Sequence, residues 1–589
     1  MRAGWGGTIR LMLVVLYSLF VFITLLLPGY ALVRALGYFR RSPGIELTLA
    51  YAASLALYAA LAVAGYVLKV DHRILQLLGW IVLVAGAVTI IRRKYYLDLW
   101  SVRLPLMGLV VMAVLASAII SLHHQAPNKF IPDPQPIAGQ QYDGLQTKIL
   151  NVSQTNANDN YLPYRHAQFF VNHSNPATDS FLSEWGVGFF QRTPLMGAVT
   201  ASYFILLNDT PPTGLTWSAA VQDPDSTQLK FQVLAHFLNA LWVVPGFFLL
   251  AQLFSRRTAV LALAFFALSQ YFLYNQFFSW PKSFVAFFVL GAWLLLLHKT
   301  RSATFAVLAG LMLGLAYLAH DLAVLYLAAT VAFLVAKRRY RDTGIIAGLS
   351  LLLALPWLAV AALVYHKPSS FIYSPFSLGG IPQPQDGPAL VRQFFATSPL
   401  HILKIKVESL VYLLTPYQLL IAESSQAYLT RIYAAGLFSI PGSIGLGLLI
   451  PAFLGFIRRT ASYTVWLLSL VPVVACVFII GWPRGLGSLH FAQAVVVLMT
   501  GLAIHYVDSL KRKAWLIAAF AVNAAQLLFF IGYSYNFQVT AWLHGWASIA
   551  GVIGIVLAVV STSYVFTCYA LGKKLGLPSV SKLTGLLRL

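Results

Sequence analysis

The sequence predicts an all-α polytopic membrane protein, and three observations carry that prediction. First, 59% of the 589 residues are hydrophobic and only 10% are charged, against roughly 25% charged in ordinary soluble domains. Second, apolar runs of spanning length recur along most of the chain. Third, Lys and Arg gather in the short connections on one side of those runs. Mean hydropathy is +0.76. A soluble globule cannot cover itself with so few polar side chains. The composition therefore excludes a soluble enzyme, a disordered regulator and a disulfide-stapled secreted domain. The two cysteines, Cys476 and Cys568, both lie inside apolar runs, so neither a disulfide framework nor a cysteine-ligated metal is expected.

A spanning helix needs about 20 mostly apolar residues. Runs that meet or approach this length read at 11–36, 45–68, 74–91 and 103–122, then at 231–254, 258–275, 283–298, 303–318, 319–336 and 344–366. A last group reads at 432–457, 462–481, 490–508, 515–533 and 543–572. The expectation is about 14–15 transmembrane helices of this length. The first run follows Arg2 and Arg10 like a signal peptide. No small-residue cleavage site follows, so it is read as a helix. Pro28-Gly29 interrupts it and leaves a re-entrant segment open. The stretch 303–336 reads as two spans or as one kinked element.

Sidedness follows from the cations. Of 40 Lys and Arg, 24 fall in one set of short connections and the tail, including Arg34, Arg40, Arg41, Arg92, Arg93, Arg256, Lys337, Arg338 and Lys511. The positive-inside rule places that set in the cytoplasm. On the same side lie only Glu46, Asp98, Asp342 and Asp508 of 17 acidic residues. The net charge of +23 is thus divided into small juxtamembrane clusters. That pattern suits anionic lipid and argues against nucleic acid. The N-terminus comes out external.

Two long external segments remain, 123–230 and 367–431. The first is rich in aromatic and aliphatic residues. The second carries the Pro/Gly-rich "YSPFSLGGIPQPQDGP" and an amphipathic run from Leu390 to Leu414. Long loops in compact proteins are usually functional or disordered, so chemistry is expected on the external, periplasmic-type face. The chain divides into 1–102, extra N-terminal helices; 103–366, a core that includes the loop 123–230; 367–431, the second loop; and 432–589, the C-terminal helices. Sequons at Asn151, Asn172 and Asn208 are all external.

Within the first loop, "NANDNYLPYRHAQFF" places Asp159 ahead of Tyr161, Arg165 and His166. Asp159 can equally be the N-cap of the helix that follows. Further on, "SEWGVGFFQRTPLMG" holds Glu184 and then Arg192 just before Thr193-Pro194-Leu195. Arg192 reads alternatively as a solvated loop cation.

A long external loop after an outward-running helix, an early Asp before a Tyr-containing helix, and then basic-x-Pro-Leu resemble the GT-C superfamily of integral membrane glycosyltransferases. The likeness is nearest to the protein O-mannosyltransferase and lipid A aminoarabinose transferase branch. It covers about residues 103–431. The resemblance implies a catalytic acid at Asp159, with Asp143 in "QYDGLQ" as the competing position, and a donor-phosphate contact at Arg192. The chain departs from the family pattern in having Asn158 and Asn160 beside Asp159, Arg for Lys at 192, and Thr193 where Pro is common.

Other residues at external helix mouths extend the set. Lys282 in "FFSWPKSF" is a phosphate ligand or an interfacial anchor. Arg484 and His490 in "GWPRGLGSLHFAQ" suit an anion. His320 and Asp321 in "LAHDLAV" are expected to form a polar turn without bonding each other, because adjacent residues do not share a helix face. Arg392, Lys404 and Lys406 bind lipid headgroups or face water.

The sequence-level expectation is an inverting glycosyltransferase of the inner membrane. Its donor is a polyprenyl-phosphate-linked sugar, and its acceptor is an external glycan, lipid or protein. Asp159 takes the acceptor proton; Arg192, Arg484 and Lys282 stabilise the leaving phosphate. No cofactor is required, although Asp143, Asp159 and Glu184 could hold a divalent metal. The alternatives are a transporter or flippase of lipid-linked glycans, and a ligase or polymerase with a polyprenyl-pyrophosphate donor.

Overall fold

A computed structural model describes residues 2–37, 42–123, 162–175, 193–211, 226–277, 279–299, 302–364, 387–414, 439–457, 463–479, 492–510 and 513–536, with isolated positions between 373 and 378. Every element among the described residues is helical. The protein is an all-α membrane protein.

The N-terminal group is α1 (Arg2–Leu36), α2 (Pro43–Leu68), α3 (His72–Arg92) and α4 (Tyr96–Leu99). A 3-10 turn at Trp100–Val102 joins α4 to α5 (Arg103–His123). Helix α1 runs through Pro28 without a break, so the first segment is not re-entrant. Pro28 has no N–H to give the carbonyl of Thr24, four residues back. Helix α2 repairs the gap: the Tyr58 hydroxyl donates to that carbonyl at 3.0 Å, and the next N–H, that of Gly29, donates to Ser54 Oγ at 2.8 Å. Asp71 caps α3 by accepting from the Arg73 N–H at 2.7 Å, as N-cap acids do.

The next elements are α6 (Leu162–Asn172), α7 (Leu195–Leu207), α8 (Ser226–Ala240), α9 (Val243–Leu253), α10 (Arg256–Ala267), α11 (Gln270–Phe277) and α12 (Lys282–Leu296). Then come α13 (Ala303–Ala319), α14 (Ala323–Ala336) and α15 (Tyr340–Ala359). Helices α8 and α9 act as one span, Thr227–Leu253, and 94% of its most apolar window is buried, so it is the centre of the bundle. The corresponding windows of α3 and α15 are only 28% and 22% buried, which puts these two helices at the periphery. Helices α10 and α11 are bent by 64° at their junction. Ser255 and Ser302 cap α10 and α13 through the N–H groups of Thr258 and Phe305. The stretch 303–336 is two helices that meet at a His320–Leu322 turn. Gly310 and Gly314, one turn apart, let α13 lie against Ile346 and Leu353 of α15, the small-residue contact of membrane helices.

The last elements are α16 (Gly387–Ala396), α17 (Pro399–Leu414), α18 (Ile440–Ile444), α19 (Leu446–Ile457), α20 (Tyr463–Ile479), α21 (Gln493–Ser509) and α22 (Lys513–Asn536). Six helices among the described residues are long and apolar enough to cross a membrane, or seven with the bent pair. Several other runs form apolar helices of 10–17 residues, and run 543–572 lies outside the described residues. The apolar runs are therefore helical where described, but many are shorter than a full span.

Candidate functional site

At the end of the bundle where α13 stops and α12 and α14 begin, four pieces of chain enclose a cavity. Its lining is Leu162, Pro163 and His166 of α6; Thr193 just before α7; Trp280, Pro281 and Lys282 at the start of α12; and His320 of the α13–α14 turn. Thr193 is buried, and its hydroxyl has no hydrogen-bond partner among the described residues.

Lys282 is the first residue of α12, and its side chain is buried. Its Nζ stands 3.5 Å from the centroid of the Trp280 ring. A helix N-terminus carries partial positive charge, and Lys282 adds a full positive charge at the start of α12. The same two features make the spot favourable for an anion. The turn that carries Lys282 is fixed from the central helix. Asn239 Nδ2 donates to the Trp280 carbonyl at 3.0 Å, and the Phe284 N–H donates to Asn239 Oδ1 at 3.1 Å.

His320 and Asp321 do bond each other, against the expectation from helix faces: His320 Nδ1 lies 2.6 Å from Asp321 Oδ1, both side chains being buried. The helix-face argument fails because His320 has left the helix. Its backbone is extended, φ −162° and ψ 138°, which lets the two side chains converge. Beside them, His166 is held between α6 and α7 at Gly197, where any Cβ would run into His166 Cβ and stand 3.0 Å from the Pro163 carbonyl. Its ring also lies 6.5 Å from that of Trp357 on α15.

Of the residues singled out from sequence, the structure brings Lys282, His320 and His166 to one cavity. Arg165 is not among the lining residues. Its guanidinium bonds Gln168 Oε1 at 2.6 Å and lies over Phe169. Asp143, Asp159, Tyr161, Glu184, Arg192, Arg484 and His490 lie outside the described residues. Two of them adjoin the site in sequence: Leu162 follows Tyr161 and Thr193 follows Arg192, and both line the cavity. Lys406 neither faces water nor projects into headgroups. It is buried, with Nζ 3.4 Å from the Phe478 carbonyl. Sequence reasoning missed Asn239 and Gly197. Neither carries a motif, and each acts through a contact distant along the chain. Among the described residues no group of three or more His, Cys, Asp or Glu is placed to hold a metal.

Comparison with protein-family models, with curated proteins and with solved structures finds no match to this chain.

Proposed function

We propose that the protein is an inverting membrane glycosyltransferase of GT-C type with about 14–15 transmembrane segments. It moves a sugar from a polyprenyl-phosphate donor to an acceptor on the external face of the inner membrane. One observation carries the reading. A buried Lys282 stands at the positive end of α12, over an indole, in a cavity shared with a histidine and a His–Asp pair. That cavity lies at the end of a membrane bundle, where a lipid-linked anion can enter sideways.

The chemistry follows from charge development. As the sugar leaves, the donor phosphate gains negative charge, and fixed cations stabilise that change more than the ground state. Lys282 and the α12 N–H groups supply it, with Arg192 as the second cation. The acceptor hydroxyl must lose a proton. Asp159, three residues before Leu162, is the proposed base. The His320–Asp321 pair orients the acceptor. The family resemblance and the presence of Lys282, His166 and His320 in the lining of an otherwise apolar cavity support this assignment. The gathering of Lys282, His166 and His320 at one end of the bundle also favours transfer over a flippase, whose path would need ionisable groups through the membrane.

The test is turnover. Purified protein in vesicles is given a polyprenyl-phosphate monosaccharide, labelled in the sugar, together with an envelope extract as acceptor source. Label should leave the lipid fraction with wild type and persist with Lys282→Ala. Equal lipid consumption by the two proteins would sink the reading.

A further inference from the structure

The amphipathic helix α17 presents an uncovered apolar stripe. Leu400, Leu403, Val407, Val411 and Leu414 are all exposed, and their spacing of three and four residues puts them on one face. The opposite face is packed: Ile405, Ser409 and Leu413 are buried. Between these two faces runs a polar edge, with His401 exposed and Lys404 and Glu408 paired at 4.0 Å. The exposed arc is therefore half apolar and half polar, divided along the helix axis.

The neighbours of the stripe say what covers it. Lys406 of α17 reaches the carbonyl of Phe478 on α20. Phe478 closes an exposed row, Leu470, Val474 and Phe478, on that helix. Helix α20 is one of the apolar helices of the bundle, so this row belongs to the bundle's apolar outer surface. The stripe on α17 thus continues that surface. A soluble partner would need an apolar patch matched to a stripe that ends on the membrane belt. A bilayer supplies that match directly, with acyl chains below the stripe and headgroups beside the polar edge.

We propose that α17 lies in the plane of the membrane–water interface, with Leu400, Leu403, Val407, Val411 and Leu414 inserted among the acyl chains. Lys404 and Glu408 sit at the headgroup level. Lys337 of α14 reaches the Tyr463 ring at the start of α20, so α14 and α20 run antiparallel and Phe478 lies at the His320 end. The interfacial helix therefore floors the leaflet that borders the Lys282 cavity. Exposed Phe395 at the end of α16 extends the inserted surface. This placement does not depend on what the cavity does.

Depth-resolved spin labelling tests it. Cysteines at 403, 407 and 411, and at 404 and 408, are introduced one at a time into the full chain carrying Cys568→Ser, with the buried Cys476 left in place, labelled with a nitroxide and reconstituted in phosphatidylcholine vesicles. Collision with molecular oxygen reports lipid, and collision with a water-soluble nickel chelate reports water. A label at 81, on the exposed face of α3, supplies the lipid reference. Labels at 403, 407 and 411 should match it, with an oxygen-to-nickel ratio several-fold above that at 404 and 408. Equal ratios at all five positions would mean a stripe in water and would overturn the proposal. Exclusion of both reagents from 403, 407 and 411 would mean a protein cover, a second copy or a partner, and would overturn it too.

Discussion

Asn239 is bonded to the main chain on both sides of Lys282. Its Nδ2 donates to the carbonyl of Trp280, and its Oδ1 accepts from the N–H of Phe284. The first N–H groups of a helix have no partner within it, and Phe284 is in the first turn of α12. One amide on the central helix thus satisfies one of the open N–H groups at the start of α12, that of Phe284, and sets where its first side chain stands.

Asn239→Leu removes both bonds and leaves a buried carbonyl and a buried N–H unsatisfied, at about 1–3 kcal/mol each. The variant should melt at a lower temperature in detergent and lose transfer activity. Asn239→Asp keeps the acceptor and should retain more of the fold than the Leu variant. Thermal unfolding followed by tryptophan fluorescence ranks the two.

Lys282→Ala should reduce transfer by about 10²–10³-fold, the scale of losing one donor to transition-state charge. Lys282→Arg keeps the charge but changes the shape of the head group, and should recover part of the rate. An interfacial-anchor role predicts near wild-type rates for both. Initial rates of label transfer from the lipid donor separate the two cases.

The fold was legible where physics is periodic. Apolar runs and their alternation with cations located the helices of the bundle, because a membrane helix must be apolar over most of its length, but not α7 (Leu195–Leu207), which lies inside the stretch read as the loop 123–230. What stayed hidden depends on partners distant in sequence. Nothing local says that Tyr58 and Ser54 carry α1 through Pro28, or that Asn239 braces the turn at Lys282. The candidate site was legible in part. Lys282 and His320 stood out as polar residues at helix mouths, and His166 within the first external loop. The place of His166 beside the other two depends on a close crossing of α6 and α7 at Gly197. The His320–Asp321 bond was misjudged because a rule for helix faces was applied to a turn.

At the other end of the bundle, Arg34 joins three helices. It bonds Glu46 of α2, meets Asp98 of α4 at 2.6 Å, and lies over the rings of Tyr30 and Tyr95. Glu46 is buried, whereas the Asp98 side chain is 54% exposed. Breaking a buried pair from one side costs about 3–5 kcal/mol; an exposed partner contributes about 1 kcal/mol or less. Glu46→Ala should therefore lower the melting temperature strongly and Asp98→Ala only slightly. Equal shifts in a side-by-side thermal scan would contradict this ranking.

Gly197→Ala adds one methyl group where α6 crosses α7. The neighbours are backbone and a Cβ, which cannot swing away as a side-chain tip can. Overpacking of this kind costs about 1–3 kcal/mol. The helices must separate, and His166 moves with α6. Stability and transfer should fall together, and Gly197→Val should be worse than Gly197→Ala on both measures.

The His320–Asp321 pair predicts an effect of tautomer. The carboxylate at 2.6 Å from Nδ1 requires a proton on that nitrogen, which in the neutral ring leaves Nε2 as the acceptor. The Leu322 N–H also approaches Nδ1, at 3.2 Å, and can donate to it only when that nitrogen carries no proton. Asp321→Asn removes the charge that holds the Nδ1 proton. The Leu322 N–H then becomes the better partner, and the proton moves to Nε2. A site that presented an acceptor now presents a donor, with almost no change in shape. Replacing an acid that holds a histidine tautomer with its amide has lowered turnover by about 10⁴-fold in serine proteases. In the proposed mechanism the histidine orients an acceptor and does not itself take its proton, so the expected loss is smaller, roughly 10-fold or more. The melting temperature should change little, because shape and packing are kept. Nitrogen-15 shifts of the His320 ring report the tautomer directly. A wild-type ring protonated at Nδ1, a ring protonated at Nε2 in the Asp321→Asn variant and a drop in transfer should appear together. An unchanged tautomer with unchanged transfer would reduce the pair to a structural turn.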